Sequence, residues 1–271
     1  MGVDVGATLA KIASRHGSAP VRFDLAPAGD LARVVQKVVA LAPGSVGLTG
    51  GGAAELARLL GRDTARVNEF AAWGSGAASL LRSNGHAPGD RHLLVSLGTG
   101  TSVMLVDGLS VTRVGGTALG GGTLVGLGAL LVGESRFDAL AALAARGDRR
   151  RIDLLVSDIY RAGEIALMGD LTASNFGKLG RPGAAPAAEA GPDLAHALMG
   201  LVGENVALVC GGLASALGVR RIVYAGSTLR GNPALTDVLR TITAALGREP
   251  VFLEEGEFAG ALGAMLFAAS R

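Results

Sequence analysis

The sequence predicts an α/β protein of two lobes, with duplicated mixed sheets flanked by helices and a cleft between the lobes. Three observations predict it. An apolar run from Gly2 passes Asp4, turns through the small residues Gly6, Ala7 and Thr8, and leaves along a second apolar run to Ile12. The same strand, glycine turn and strand recur at Leu93–Ser102, and a third strand-then-glycine turn falls at Ile222–Gly226. Compact strand-helix-strand stretches follow the openings, the spacing of parallel crossovers.

In chain order, a short third strand is expected near Val21–Leu25. Asp30 caps a helix through Leu41 with Val34, Val35 and Val38 at helical spacing, and Pro43-Gly44 ends it. Ser45–Leu48 reads as a buried strand entering Thr49-Gly50-Gly51-Gly52, and Ala53–Leu60 as a helix. Asn68–Asn84 is a helix rich in small residues, as expected where elements pack tightly. Leu93–Val106 and Leu109–Val114 form a hairpin about Asp107-Gly108. Helices follow at Gly122–Leu131 and Phe137–Ala145, then a solvated charged turn at Arg146–Asp153 and a loop at Gly180–Gly191. A long helix interrupted by glycine spans Asp193–Leu217. Strand Arg221–Ala225, helix Pro233–Leu246, strand Pro250–Phe252 and helix Gly256–Ala269 complete the chain.

Composition excludes several classes. The 271 residues suffice for a large core, and 49% apolar with 18% charged residues is not the balance of a disordered chain. A net charge of +2 from 25 basic and 23 acidic residues gives no basic stripe, and two Tyr and one Trp offer few stacking platforms, so nucleic acid is not the expected partner. The one cysteine, Cys210, lies in an apolar run, which rules out an internal disulfide and suits a buried small hydrophobe. The opening residues lack the pattern of a signal peptide, which points to the cytoplasm. Val114–Gly133 is uncharged for membrane-span length, but its recurrent glycines read as strand, loop and helix start, so no membrane segment is expected. His16, His86, His92 and His196 have no metal-ligand spacing.

Several residues carry candidate chemistry. Small residues at Gly6–Thr8 let backbone N–H groups approach an anion, Asp4 at the strand exit is a ligand for Mg²⁺, and Lys11 is a point charge for a terminal phosphate. A plain hairpin with an edge lysine is the bland alternative. Glu69, ahead of an Ala-rich helix, reads either as a first-turn residue held by the helix dipole or as a partly desolvated general base. Asp63 and Glu55 look solvated. Arg113, after an alternating strand and before two glycines, suits a bidentate clamp on a carboxylate or a rim ion pair. Gly120-Gly121-Gly122-Thr123 opens a helix, where an anion site or a capped turn can form.

An ordered set of motifs is similar to type II pantothenate kinases, a branch of the actin/sugar-kinase (hexokinase-like, ribonuclease H-like) ATPase superfamily. The set comprises GVDVGATLAK at the start, GLTGGGA (Gly47–Ala53), NEF (Asn68–Phe70), SLGTGTS (Ser96–Ser102), RVGGTALGGGTLVGL (Arg113–Leu127), LTASNFGK (Leu171–Lys178) and AGSTLRGNP (Ala225–Pro233). The resemblance covers nearly the whole chain and implies a homodimeric kinase moving the γ-phosphoryl of ATP to pantothenate. Carried over by position, Asp4, Gly6, Ala7, Thr8 and Lys11 hold Mg²⁺ and phosphates, with Asp4 on the metal, and Gly98 and Thr99 belong to the same nucleotide site. Glu69 is the base, while Thr99, Ser102 and Arg113 hold pantothenate. Gly121, Gly122 and Thr123 line the phosphate side, and Gly226, Ser227 and Leu229 lie by the adenosine.

The resemblance also implies a first lobe over 1–66 completed by a C-terminal helix at 257–271, and a second lobe over 67–256 with the substrate site and a dimerisation helix. CoA or an acyl-CoA is a feedback ligand by the same analogy. Ala7 departs from the glycine common in the family, so its methyl either crowds the phosphate or marks a position with φ below zero. Ser96, an Asn in some relatives, is left without a role. Two other functions compete: a sugar or amino-sugar kinase of the same superfamily, whose substrate would give Arg113 no carboxylate, and a non-catalytic regulator that senses nucleotide or CoA.

Overall fold

A computed structural model describes residues 1–87, 91–161, 163–165, 168–181 and 190–270. Most of the loop expected at Gly180–Gly191 lies outside the described residues, as does Arg271. Two five-stranded sheets dominate. The first uses β1 (Gly2–Val5), β2 (Leu9–Ser14) and β3 (Arg22–Pro27) as an antiparallel meander. Then α1 (Leu31–Leu41) crosses over to β4 (Gly47–Thr49), parallel to β1, and α2 (Ala53–Leu60) leads to β5 (Ala65–Arg66), parallel to β4. The order is β3-β2-β1-β4-β5. Asp30 caps α1 by accepting the Arg33 N–H at 3.0 Å, and Ala42 ends it in the left-handed region one residue before Pro43. The two-residue β5 was not foreseen; it has no alternating pattern to read.

The helix α3 (Glu69–Ser83) follows, with Asn68 accepting the N–H groups of Phe70 and Ala71. The second sheet repeats the plan with β6 (His92–Leu97), β7 (Thr101–Asp107) and β8 (Ser110–Thr117). Next come α4 (Gly121–Val132), α5 (Phe137–Ala144), a two-stranded ribbon of β9 (Leu154–Leu155) and β10 (Thr172–Ser174), and α6 (Gly191–Leu217). The parallel strands β11 (Arg221–Ala225) and β12 (Glu249–Phe252), joined by α7 (Pro233–Ala245), complete the order β12-β11-β6-β7-β8. The expected helix at Gly256–Ala269 begins with a 3₁₀ turn, and α8 proper is Ala259–Ala269.

Two expectations are corrected. Arg146–Asp153 is a solvated turn only in part: Arg146, Arg150 and Arg151 are exposed, but Arg149 and Asp153 are not. Asp153 is fully buried, and Arg149 bonds its carboxylate at 3.3 Å, Glu204 of α6 at 3.2 Å and the Thr172 hydroxyl at 2.6 Å. Three charged groups so far from water require this mutual satisfaction. Nor do glycines interrupt α6, which runs unbroken for 27 residues. Among the described residues it is the one helix long and apolar enough to cross a membrane, yet 67% of its most apolar stretch is buried inside the fold. Cys210 on α6 is fully buried, and burial pushes its thiol up to about 12.

Three of the four apolar clusters among the described residues hold these layers. One fills the first sheet beneath α1 and α2, with Val3, Ile12, Val34 and Leu48. A second packs α6 and α7 on the second sheet. The third lies between the sheets, where α3 and α8 bring Trp73, Leu80, Leu262 and Met265 against Ala13 of the first sheet and Leu94, Met104 and Val223 of the second. A Cβ on Gly2 would fall 2.0 Å from the Ala261 carbonyl oxygen, so β1 and α8 meet backbone to backbone.

Candidate active site

The first turn of each sheet faces the other across the cleft. The hydroxyls of Thr8, in the β1–β2 turn, and Thr99, in the β6–β7 turn, are 3.1 Å apart and hydrogen-bonded. Around this junction lies a cavity of about 390 Å³. It is lined by Asp4, Gly6, Ala7, Thr8, Lys11 and Glu69 on one side and by Gly98, Thr99, Ser102, Arg113 and Ser227 on the other. Eleven of the residues singled out in the sequence are thus brought to one place. Among the described residues the amides of Ala7, Thr8, Thr99 and Gly100 have no backbone acceptor, which leaves N–H groups from both turns for an anion.

Asp4 is 3% exposed, yet no donor among the described residues bonds its carboxylate. It sits in a slot made by missing side chains: a Cβ on Gly50 would come 2.5 Å from Oδ1, and one on Gly260 2.5 Å from Oδ2. Burial pushes its pKa up, against the pull of Lys11, its register partner across β1 and β2. A buried, unbonded carboxylate opening on a cavity has the chemistry of a hard-cation ligand, so the residues present fit Mg²⁺.

Glu69 stands at the first turn of α3 with its surface toward the cavity. Desolvation and then the charge of Asp4 raise its pKa, and Lys11 opposes them. Like charge beside a carboxylate makes it a better proton acceptor. Arg113 has no carboxylate or carbonyl partner among the described residues, so its guanidinium is free to meet an anionic group. Among the described residues the ion pair at a strand rim, its bland alternative, is not formed.

The neighbouring cavity, about 470 Å³, shares Thr8, Leu9, Gly98, Thr99 and Ser227 with the first and extends to Gly121, Gly122, Val125, Phe137 and Arg230. Two amides at the head of α4 are already taken, Gly121 N–H by the Gly98 carbonyl at 2.8 Å and Gly122 N–H by that of Thr99 at 2.9 Å. Their contribution to this wall is bare backbone. Thr123 lines neither cavity; its hydroxyl donates to the Ala118 carbonyl at 3.1 Å. Gly226 and Leu229 line a third, larger cavity of about 870 Å³ beyond Arg230, beside Glu254, Glu255 and Glu257. Thr228 ties this loop to the second turn by donating to the Gly98 carbonyl at 2.8 Å.

Ala7 does not have a positive φ, as the second reading of that departure expects, so its methyl puts no strain on the backbone. Sequence reasoning missed Trp73, Gly100, Thr101, Thr117 and Arg230 as lining residues. A usable signal existed for Trp73, which follows Glu69 by one helical turn. Ser96 also lines the first cavity, at the position of the second sheet that Asp4 holds in the first.

Comparison with known proteins shows the family and the fold. A family model described as Fumble matches residues 82–267. The chain is similar to a type II pantothenate kinase of Staphylococcus haemolyticus, 36% identical over 98% of both chains, and to one of Oceanobacillus iheyensis, 35% identical over 98% of both. Among solved structures it resembles component A of the (R)-2-hydroxyglutaryl-CoA dehydratase of Acidaminococcus fermentans (TM-score 0.65, 19% identity, 99% of this chain and 96% of that one). It also resembles a ROK family glucokinase from Streptomyces griseus in complex with glucose and AMPPNP (TM-score 0.61, 14% identity, 100% and 99%). These structures share the two-lobed fold.

Proposed function

The chain belongs to the type II pantothenate kinase family, and we propose that it uses the chamber between its two glycine turns to carry out that family's reaction. It phosphorylates pantothenate with ATP, the first step toward coenzyme A. One observation carries the assignment of roles: Asp4, Lys11, Glu69 and Arg113 border a single cavity at the place where the two turns meet. Phosphoryl transfer asks for charge compensation and alignment more than for covalent chemistry. Arg113 takes the pantothenate carboxylate, and Thr99 and Ser102 orient the molecule so that its primary hydroxyl reaches Glu69. Glu69 accepts the hydroxyl proton as the new P–O bond forms. Gly6, Ala7, Thr8 and Lys11 face Gly98 and Thr99 across the phosphates. Gly121 and Gly122 close the phosphate side, and Gly226, Ser227 and Leu229 border the adenosine. Asp4 would hold Mg²⁺, whose charge offsets that of the phosphoryl oxygens when it is bound.

The free guanidinium of Arg113 favours a carboxylate-bearing alcohol over a sugar, and the raised pKa of Glu69 favours catalysis over sensing. The homodimer reading is supported by apolar side chains left outside the core, Leu130 and Leu131 on α4 and Leu208 and Val209 on α6. A CoA-type feedback ligand would compete along the two joined cavities. The burial of α6 suits a cytoplasmic enzyme.

The test is an ATP-consumption assay with pantothenate, glucose and N-acetylglucosamine, with mass detection of 4′-phosphopantothenate. Turnover with pantothenate alone is expected; turnover with a sugar alone would replace this reading. Glu69→Gln should lower kcat by roughly 10²- to 10⁴-fold with nucleotide affinity kept. Full activity in that variant would remove Glu69 from the mechanism.

A further inference from the structure

Trp73 is the only tryptophan of the chain and is 5% exposed. Most of its ring belongs to the apolar cluster between the sheets, with Ala77, Leu80, Met104 and Met265. A phenylalanine would fill much of that space without burying a donor. The indole N–H has no acceptor among the described residues, yet it is not sealed in the core: it opens on the cavity that Trp73 lines, where an oxygen can meet it.

The position of that N–H gives it a use. Trp73 lies four residues after Glu69, on the same face of α3, and lines the same cavity. A Cβ on Gly260 would come 2.5 Å from Asp4 Oδ2 and 3.0 Å from Trp73 Nε1, so carboxylate and indole border the one gap left by the missing side chain. A donor without an acceptor and an acceptor without a donor therefore flank the chamber floor, with no hydrogen bond between them. The ring is also held in place. A Cβ on Gly263 would fall 1.8 Å from the Ala72 carbonyl oxygen, so the backbones of α3 and α8 touch immediately beside it.

We propose that Trp73 is a positioning residue of the kinase reaction, its indole N–H donating to an oxygen held in the chamber between Asp4 and Glu69. That oxygen belongs either to the phosphoryl donor or to a water on the cation that Asp4 would hold. The assignment rests on the kinase reading above. It gives one donor a fixed direction toward the reacting group, so an apolar ring of similar bulk cannot replace it.

Protein labelled with ¹⁵N-tryptophan has a single indole cross-peak, which reads the contact directly. Three probes are added in turn: Mg²⁺ alone, AMPPNP with EDTA, and Mg²⁺ with AMPPNP. A downfield proton shift with Mg²⁺ alone assigns the oxygen to cation-bound water. A shift with AMPPNP in EDTA, or only with both probes, assigns it to the phosphoryl donor. No shift in any arm, with binding verified by calorimetry, overturns the proposal. Trp73→Phe should lower kcat roughly 10- to 10²-fold while leaving the pantothenate KM within about threefold; wild-type kcat in that variant also overturns it. If the variant does not fold, the cross-peak of the wild-type protein decides. A shifted cross-peak in a protein that does not phosphorylate pantothenate would instead sink the substrate reading and leave the indole contact standing.

Discussion

The two sheets are laid out on one plan, and their differences locate the chemistry. In each, the first strand is central, pairs antiparallel with a meander on one side and parallel with two crossover strands on the other. At the equivalent position beside the first turn, however, the first sheet sets Asp4 opposite Lys11, and the second sets Ser96 opposite Ser102. The first lobe thus brings ionic groups to the cleft and the second brings hydroxyls, with Arg113 one strand further out. A duplicated scaffold has become asymmetric where a charged donor and a polar alcohol must be told apart. A second difference is bulk. Only α1 separates the meander from the crossover strands in the first lobe, whereas α4, α5, the β9–β10 ribbon and α6 do so in the second.

The sharpest way to break this comparison is to make the first lobe copy the second. Asp4→Ser should cost roughly 10³-fold in kcat, because the carboxylate that would hold the Mg²⁺ is removed. Ser96→Ala, the change at the matching site, should cost only about fivefold, the scale of one neutral hydrogen bond. Steady-state assays of the pair decide the matter, and equal losses would mean the lobes are not divided in this way.

Next in size is Arg113→Ala, which should raise the pantothenate KM by roughly 10²-fold with a smaller change in the KM for ATP. A larger effect on ATP would move the guanidinium to the nucleotide side.

The smallest effect is on stability and has a definite sign. Burial raises the pKa of Asp4, so the folded chain binds its proton more tightly than the unfolded chain does. The stability this acid supplies is complete below the unfolded carboxylate pKa and is lost as pH rises through the higher folded value. Asp4→Asn cannot ionise, so it should melt above the wild type beyond that window and converge with it in acid. Thermal melts of both proteins between pH 4 and 9 test this, and a gap independent of pH would refute the desolvation of Asp4.

Much of the shared plan was legible in the chain itself, and the asymmetry was not. The strand-turn-strand openings, the cap at Asp30 and the small-residue helix that starts about Asn68 are local patterns and need no knowledge of distant residues. What escaped was non-local. The acceptors for the Gly121 and Gly122 amides come from Gly98 and Thr99, and the partner that makes Asp153 and Arg149 a buried cluster is Glu204 on another helix. Thr123 looked like a phosphate ligand because helix starts offer free donors, but its hydroxyl is used in its own turn. The role of Trp73 was hidden for another reason. An apolar ring at helical spacing reads as core, and here the core and the chamber share the same side chain.

The seam between β1 and α8 has a consequence for synthesis. The strand that leaves the ribosome early cannot cover its inner face until residues 259–269 have followed, more than two hundred positions later. Contacts so remote in sequence are entropically expensive to close and form late. The lobe that is translated first is therefore finished last, and a nascent chain stalled before Ala259 would present a naked sheet to whatever chaperone is at hand.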